Sequence, residues 1–144
     1  MVWLKLIKYV RQELENAGIR TIYGAMDPAT QGADEAGYLL IYRGDEAYTY
    51  AGVDFRYVNA KFYLECWVRS DEPELMTGCE RLEALEEKAW KVLQEINAES
   101  GKIGDGLQIM GLGVSRISGD YDTARPLVGS QMEIEATVYE EAEE

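Results

Sequence analysis

One stripe of side chains constrains this chain more than any other feature. Between residues 73 and 98, Leu75, Cys79, Leu82, Leu85, Ala89, Val92 and Ile96 recur at steps of three and four, the spacing of one face of a long helix. Glu80, Glu83, Glu86, Glu87, Lys88 and Lys91 fall outside the stripe. Such a helix buries one side and turns an acidic side outward. Pro73 suits its first turn, where a backbone N–H has no partner to lose.

A second helical pattern covers residues 3–17. Leu4, Ile7, Val10 and Leu14 share a face, flanked by Leu6 and Ala17, and Gly18 suits the residue just past the end. The other regular stretches alternate. In "VDFRYVNAKFYLECWVRS", Val53, Phe55 and Tyr57 form one face. After a weak break at Asn59-Ala60, Phe62, Leu64, Cys66 and Val68 form the next, opposite Tyr63 and Trp67. In "SQMEIEATVYEE", Met132, Ile134, Ala136 and Val138 alternate with polar neighbours. "IRTIY" (19–23), "YLLIYR" (38–43) and "LQIMGLGVSRIS" (107–118) read as further strands. Gly111 and Gly113 point to a bulge or a close backbone approach in the last of these.

The connections follow. "GAMDPATQGADEAG" (24–37) and "GDYDTARPLVG" (119–129) are loops, the first long enough to be functional or mobile. "GDEAYTYAG" (44–52) and "ESGKIGDG" (99–106) contain turns, and 140–144 form a frayed acidic tail. This order predicts an α+β fold: a mostly antiparallel sheet of about four to five strands, with the N-terminal helix and the long helix packed on one face. The 144 residues suit a single domain, 1–144. The uncovered face would carry Tyr63, Trp67, Glu133, Glu135, Thr137 and Tyr139, a mixture suited to meeting a neighbour.

Charge and chemistry narrow the function. The formal net charge is −13. Residues 71–99 hold nine acids and three bases, and residues 131–144 hold six acids and no base. This field does not attract nucleic acid, whose phosphates need clustered Lys and Arg. It is either a solvated surface or one that lets DNA pass without holding it.

The chain has no histidine, so Ser-His-Asp and Cys-His catalysis are excluded. Carboxylate pairs are expected by chance among 27 acids. Cys66 and Cys79 fit no zinc spacing and read as structural thiols. The glycine-containing stretches lack phosphate-cradling spacing. Asp120 and Asp122 lack the remaining ligands of a calcium loop. The expectation is a protein with no catalytic, cofactor-binding or metal residues. No secretory leader opens the sequence and no apolar run is long enough to span a membrane, which predicts a chain made and used in the cytoplasm with no membrane partner.

The order "WLKLIKYVRQELENAG", a loop bearing Asp27-Pro28, "KFYLECWVRS", "ELMTGCERLEALEEKAWKVLQEI", "DYDTARPLVG" and "QMEIEATVYEE" resembles the tail terminator and tail-completion proteins of long-tailed bacteriophages, the group of the lambda minor tail protein U. The resemblance covers roughly residues 3–140. It implies an α+β virion subunit, assembled in the bacterial host cytoplasm. Such subunits form a homo-oligomeric, hexameric ring that caps the tail tube and meets the tail tube protein and head–tail connector proteins. DNA passes through the ring without specific binding, and no catalysis is implied. The alternatives are a small-molecule or peptide-binding regulatory α+β module, and an enzyme working with carboxylates or a metal alone.

Overall fold

The computed structural model describes residues 2–24, 32–50, 55–99, 106–120 and 126–141. Its elements run α1 (Val2–Asn16), β1 (Thr21–Tyr23), β2 (Tyr38–Tyr50), β3 (Phe55–Arg69), α2 (Leu75–Glu99), β4 (Leu107–Asp120) and β5 (Leu127–Glu141). The strands form one sheet in the order β1-β2-β3-β5-β4; only the β1–β2 pair is parallel. Both helices lie on the same face, so the fold is α+β with a mostly antiparallel sheet.

The helices pack where their apolar stripes require. In α1 the buried residues are Val2, Leu6, Ile7, Val10 and Leu14. Leu4, expected on that face, is 42% exposed. The steps 2-6-10-14 centre the buried stripe, and Leu4 falls well to one side of it. The helix ends in a paired motif: Ile19 N–H donates to the Leu14 carbonyl (3.0 Å) and Gly18 N–H to the Glu15 carbonyl (2.9 Å). Gly18 takes φ +83°, open to glycine at little cost. In α2, Leu82, Leu85, Ala89, Val92, Leu93 and Ile96 are buried. Leu75 and Cys79 are half-buried, and Pro73 precedes the helix rather than opening it. Gly78 is buried in α2 so close to β5 that a Cβ there would stand 2.9 Å from a methyl of Val128.

Three connections differ from the sequence expectation. Residues 44–50 continue β2 rather than turning. Gly44-Asp45 fall within a register shift between Arg43 and Glu46, after which pairing with β3 resumes from Glu46↔Ala60 to Tyr50↔Arg56. A bulge absorbs the turn-like dipeptide. Asn59-Ala60 do not break β3, because both pair with β5 in unbroken register. The 119–129 loop shortens, since β4 runs to Asp120 and β5 starts at Leu127. Residues 25–31, most of the first loop, lie outside the described residues, as do 51–54 (with Val53), 100–105, 121–125 (with Asp122) and 142–144. In β4 the register shifts at Ile109/Gly111 and Val114/Arg116 supply the expected bulge, but Gly111 and Gly113 have open space where a Cβ would sit.

The core lies between helices and sheet. Val58, Ala60, Phe62, Leu64, Cys66 and Val68 of β3 interleave with Val128, Met132, Ile134, Ala136 and Val138 of β5. Burial pushes the Cys66 thiol up to about 12, with Glu86 adding to the rise. It therefore stays protonated at neutral pH and packs as a small apolar group beside Met132. Both cysteines are free.

Candidate assembly surfaces

The sheet face away from the helices is buried at one end, under the segment around Ala33, and open elsewhere among the described residues; it divides into three zones. At one end Tyr38 and Leu40 form a small apolar knot with Ala33, against which Ile22, Trp67 and Leu127 pack. Gly129 lies directly under the Trp67 indole, where any Cβ would collide with the ring. At the other end Phe55, Tyr57 and Tyr139 cluster, with Tyr139 ring centroids 5.2 Å from Tyr57 and 5.9 Å from Phe55.

A polar band joins these ends. Tyr42 stacks on Tyr63 at 5.3 Å and donates to Glu65 at 2.6 Å, while Trp67 Nε1 donates to the other oxygen of Glu65 at 3.0 Å. Gln131 donates to the Tyr42 oxygen at 2.6 Å. Burial and the Glu65 carboxylate push the Tyr42 phenol up to about 12. Lys61 bridges Glu133 (3.2 Å) and Glu135 (3.4 Å) across strands; its hydrogen bond to Glu133 raises its pKa. The alternation read in β3 and β5 thus placed Tyr63, Trp67, Glu133, Glu135, Thr137 and Tyr139 on this face correctly.

Beside the band a trough of about 700 Å³ runs over Ala47, Gly111 and Gly113, with Asp45, Lys61 and Glu135 at its rim. Small residues make the hollow. The volume would admit a small ligand, but the rim is charged and the trough is open.

At the edge of the helix side, Glu140 is 4% exposed rather than part of a frayed tail. It accepts hydrogen bonds from Arg56 Nε at 2.7 Å and Lys5 Nζ at 3.4 Å. The Arg56 guanidinium sits 5.7 Å over the Tyr48 ring, and Tyr48 donates to Glu46 at 2.8 Å. Arg43 donates to Glu46 at 3.0 Å and covers the Trp3 ring at 4.4 Å. These contacts tie α1, β2, β3 and β5 together.

The acidic side of α2 does not all face water. Glu86 is half-buried and accepts a hydrogen bond from Ser130 at 2.9 Å. Burial raises its pKa, the Ser130 hydroxyl offsets part of this, and Glu83 and Glu87 add to it. Next to it Glu83, Glu87, Trp90, Ile117 and Met132 line a groove of about 280 Å³ between α2 and β4. Trp90 and Ile117 are 38% and 46% exposed. Neither is marked out by the sequence pattern. Trp90 stands off the buried stripe of α2, which was the available signal; Ile117 lies beyond a bulge that disturbs the strand alternation.

Among the described residues no group of His, Cys, Asp and Glu is placed to hold a metal. No described helix is long and apolar enough to cross a membrane.

The fold has a counterpart. The chain aligns with a chain in the virion of a native gene transfer agent particle with a TM-score of 0.59 and 13% identity, covering 90% of this chain and 84% of that one. No family model and no curated protein matches it.

Proposed function

We propose that this chain is a virion structural protein of a tailed, phage-like particle. Its specific role would be that of a ring-forming tail terminator or head–tail joining subunit. The observation that carries this reading is the shared fold with a gene transfer agent virion chain over nearly the full length of both. The lack of histidine removes the commonest general base, and the Cys66 thiol is held protonated. The role proposed is therefore non-catalytic. It needs no cofactor, and its partners are further copies of itself, the tail tube protein and head–tail connector proteins.

The net charge of −13 suits a ring whose bore DNA traverses without being held. The site of action on this reading is the virion, after assembly in the host cytoplasm.

The trough at Asp45, Lys61 and Glu135 is the observation in favour of a second reading, a ligand-binding module. Against it stand the charged residues Asp45, Glu46, Lys61 and Glu135 around an open trough, where most small-molecule sites enclose their ligand.

Electron microscopy of the chain mixed with tubes polymerised from the tail tube subunit of the same particle tests the proposal. Closed rings seated on one tube end, and tubes that stop growing, are expected. Tubes that lengthen unchanged, with no added density at either end, would reject it. Ligand-dependent thermal stabilisation of a strict monomer would favour the second reading instead.

A further inference from the structure

The helix layer has two flanks, and they differ in charge. Along the sheet order, α1 packs beside β1 and β2, while α2 packs over β3, β5 and β4. The outer side of α1 therefore marks one flank, and the groove between α2 and β4 marks the opposite one.

The first flank is basic. Lys8 and Leu4 are exposed on α1. Arg11 lies beside them, its guanidinium 4.6 Å over the exposed Tyr23 ring and its Nε donating to the Thr21 carbonyl at 2.8 Å. Among the described residues of this α1 face, Glu15 is the carboxylate, and it is engaged by Arg11 at 3.7 Å. Lys8 is left as the forward charge.

The second flank is acidic around an apolar floor. Glu83, Glu86 and Glu87 border Trp90, Ile117 and Met132. Met76, 63% exposed, falls on the same side of α2 by helical spacing. The groove of about 280 Å³ has room for a few side chains rather than for a whole small molecule.

Exposed apolar residues follow the same division. Of the eight large hydrophobic residues exposed among the described ones, Leu4, Tyr23 and Tyr48 lie towards the first flank. Met76, Trp90, Met110 and Ile117 lie on the second, and only Tyr57 lies elsewhere. The strand edges are open on both sides too. Among the described residues, β4 pairs only with β5, and β2 beyond Ile41 pairs only with β3.

We infer that the groove of Glu83, Glu87, Trp90 and Ile117 receives the Leu4–Lys8–Arg11 face of α1 from a second copy of this chain. Complementary charge selects the partner, and Leu4 enters the apolar floor. The two surfaces are different patches on opposite flanks, so the contact is heterologous. Repeated, it generates a ring or an open filament rather than a two-fold dimer. This names the contact between copies in the ring reading above and rests on that reading for its biological setting only.

Paired charge reversal tests it. Lys8→Glu and Glu87→Lys both change exposed side chains, and circular dichroism melts should match the parent. Sedimentation velocity of the full chain from dilute to concentrated solution is the readout. Each variant alone should self-associate at least about tenfold more weakly than the parent, because like charges then face each other. An equimolar mixture of the two should regain association, since each variant supplies the flank that the other has reversed. Glu83→Lys in place of Glu87→Lys should behave alike. Variants that associate like the parent, a mixture no better than its components, or a parent that stays monomeric would each overturn the inference. A parent that stays monomeric yet caps tubes would leave the proposed function standing, and flank association with no effect on tubes would do the reverse.

Discussion

The two faces of the sheet are built from the same strands and obey different rules. On the helix side, alternate residues from Val58 to Val68 and from Val128 to Val138 are buried, with Ser130 the one polar side chain in the series. On the other side, the intervening residues form a buried apolar knot at one end and, beyond it, a polar band and an aromatic cluster held by a few directional contacts. The first face is stabilised by area removed from water, which is indifferent to detail as long as volume is kept. Outside the knot, the second is stabilised by hydrogen bonds and ring contacts, small individually and dependent on geometry. Position in this sheet, rather than residue type alone, decides what a substitution costs.

The largest expected effect lies on the buried side. Leu82→Ala, at a site 1% exposed, should lower unfolding free energy by about 2–5 kcal/mol in urea titrations. A cost below half a unit would show that α2 is not seated as described. Next comes the edge between the faces. Glu140→Gln keeps the shape but weakens the bonds to Arg56 and Lys5, and a loss of about 1.5–3 kcal/mol is expected, since both bonds join charged groups. An unchanged melt would reduce that cluster to surface decoration.

On the uncovered face the effects shrink. Tyr57→Leu gives up ring contacts with Tyr139 and Phe55, and about 0.5–1.5 kcal/mol should be lost. A loss as large as that of Leu82→Ala would erase the contrast between the faces.

The last effect is confined to alkaline solution and is absent at neutral pH. The Tyr42 phenol is raised to about 12 in the folded chain from its ordinary 10.0. Its neutral form is thus favoured by folding. The stabilisation is complete below the unfolded value and is lost as pH rises from about 10 towards 12. Tyr42→Phe should flatten this part of the stability–pH curve relative to the parent. Parallel curves would mean that Tyr42 is neither buried nor bonded to Glu65 in solution as it is here.

Much of the buried face was legible in the sequence, because periodicity reports burial directly. The stripe of α2 and the alternation of β3 and β5 needed only residue spacing. The second half of β2 was not legible. Gly44-Asp45 has turn chemistry, and Asp45, Ala47 and Thr49 show no apolar alternation with Glu46 and Tyr48. What makes 44–50 a strand is pairing with β3 across a bulge, a non-local fact.

Glu140 and Glu86 were hidden for a related reason. Their partners, Arg56 and Ser130, are 84 and 44 residues away. The groove at Trp90 and Ile117 combines both difficulties, joining an off-stripe helical residue to a strand whose alternation is broken by bulges. The overall class, α+β with helices on one face, survived because it depends on element order more than on any boundary.

The place of β5 carries a consequence for synthesis. It is the last strand described, yet it lies inside the sheet, between β3 and β4. While the polypeptide is being made, β3 has one neighbour, β2, and an entire row of unsatisfied backbone groups on the other side. Strand β4 emerges with no neighbour in place. Neither can be satisfied within the chain until residues 127–141 leave the ribosome. Translation stalled before Leu127 would leave β3 with an unpaired edge and β4 with no partner, and such strands template aggregation. Growth of the native sheet is thus postponed until this fifteen-residue strand is made, and the core cannot close before it arrives.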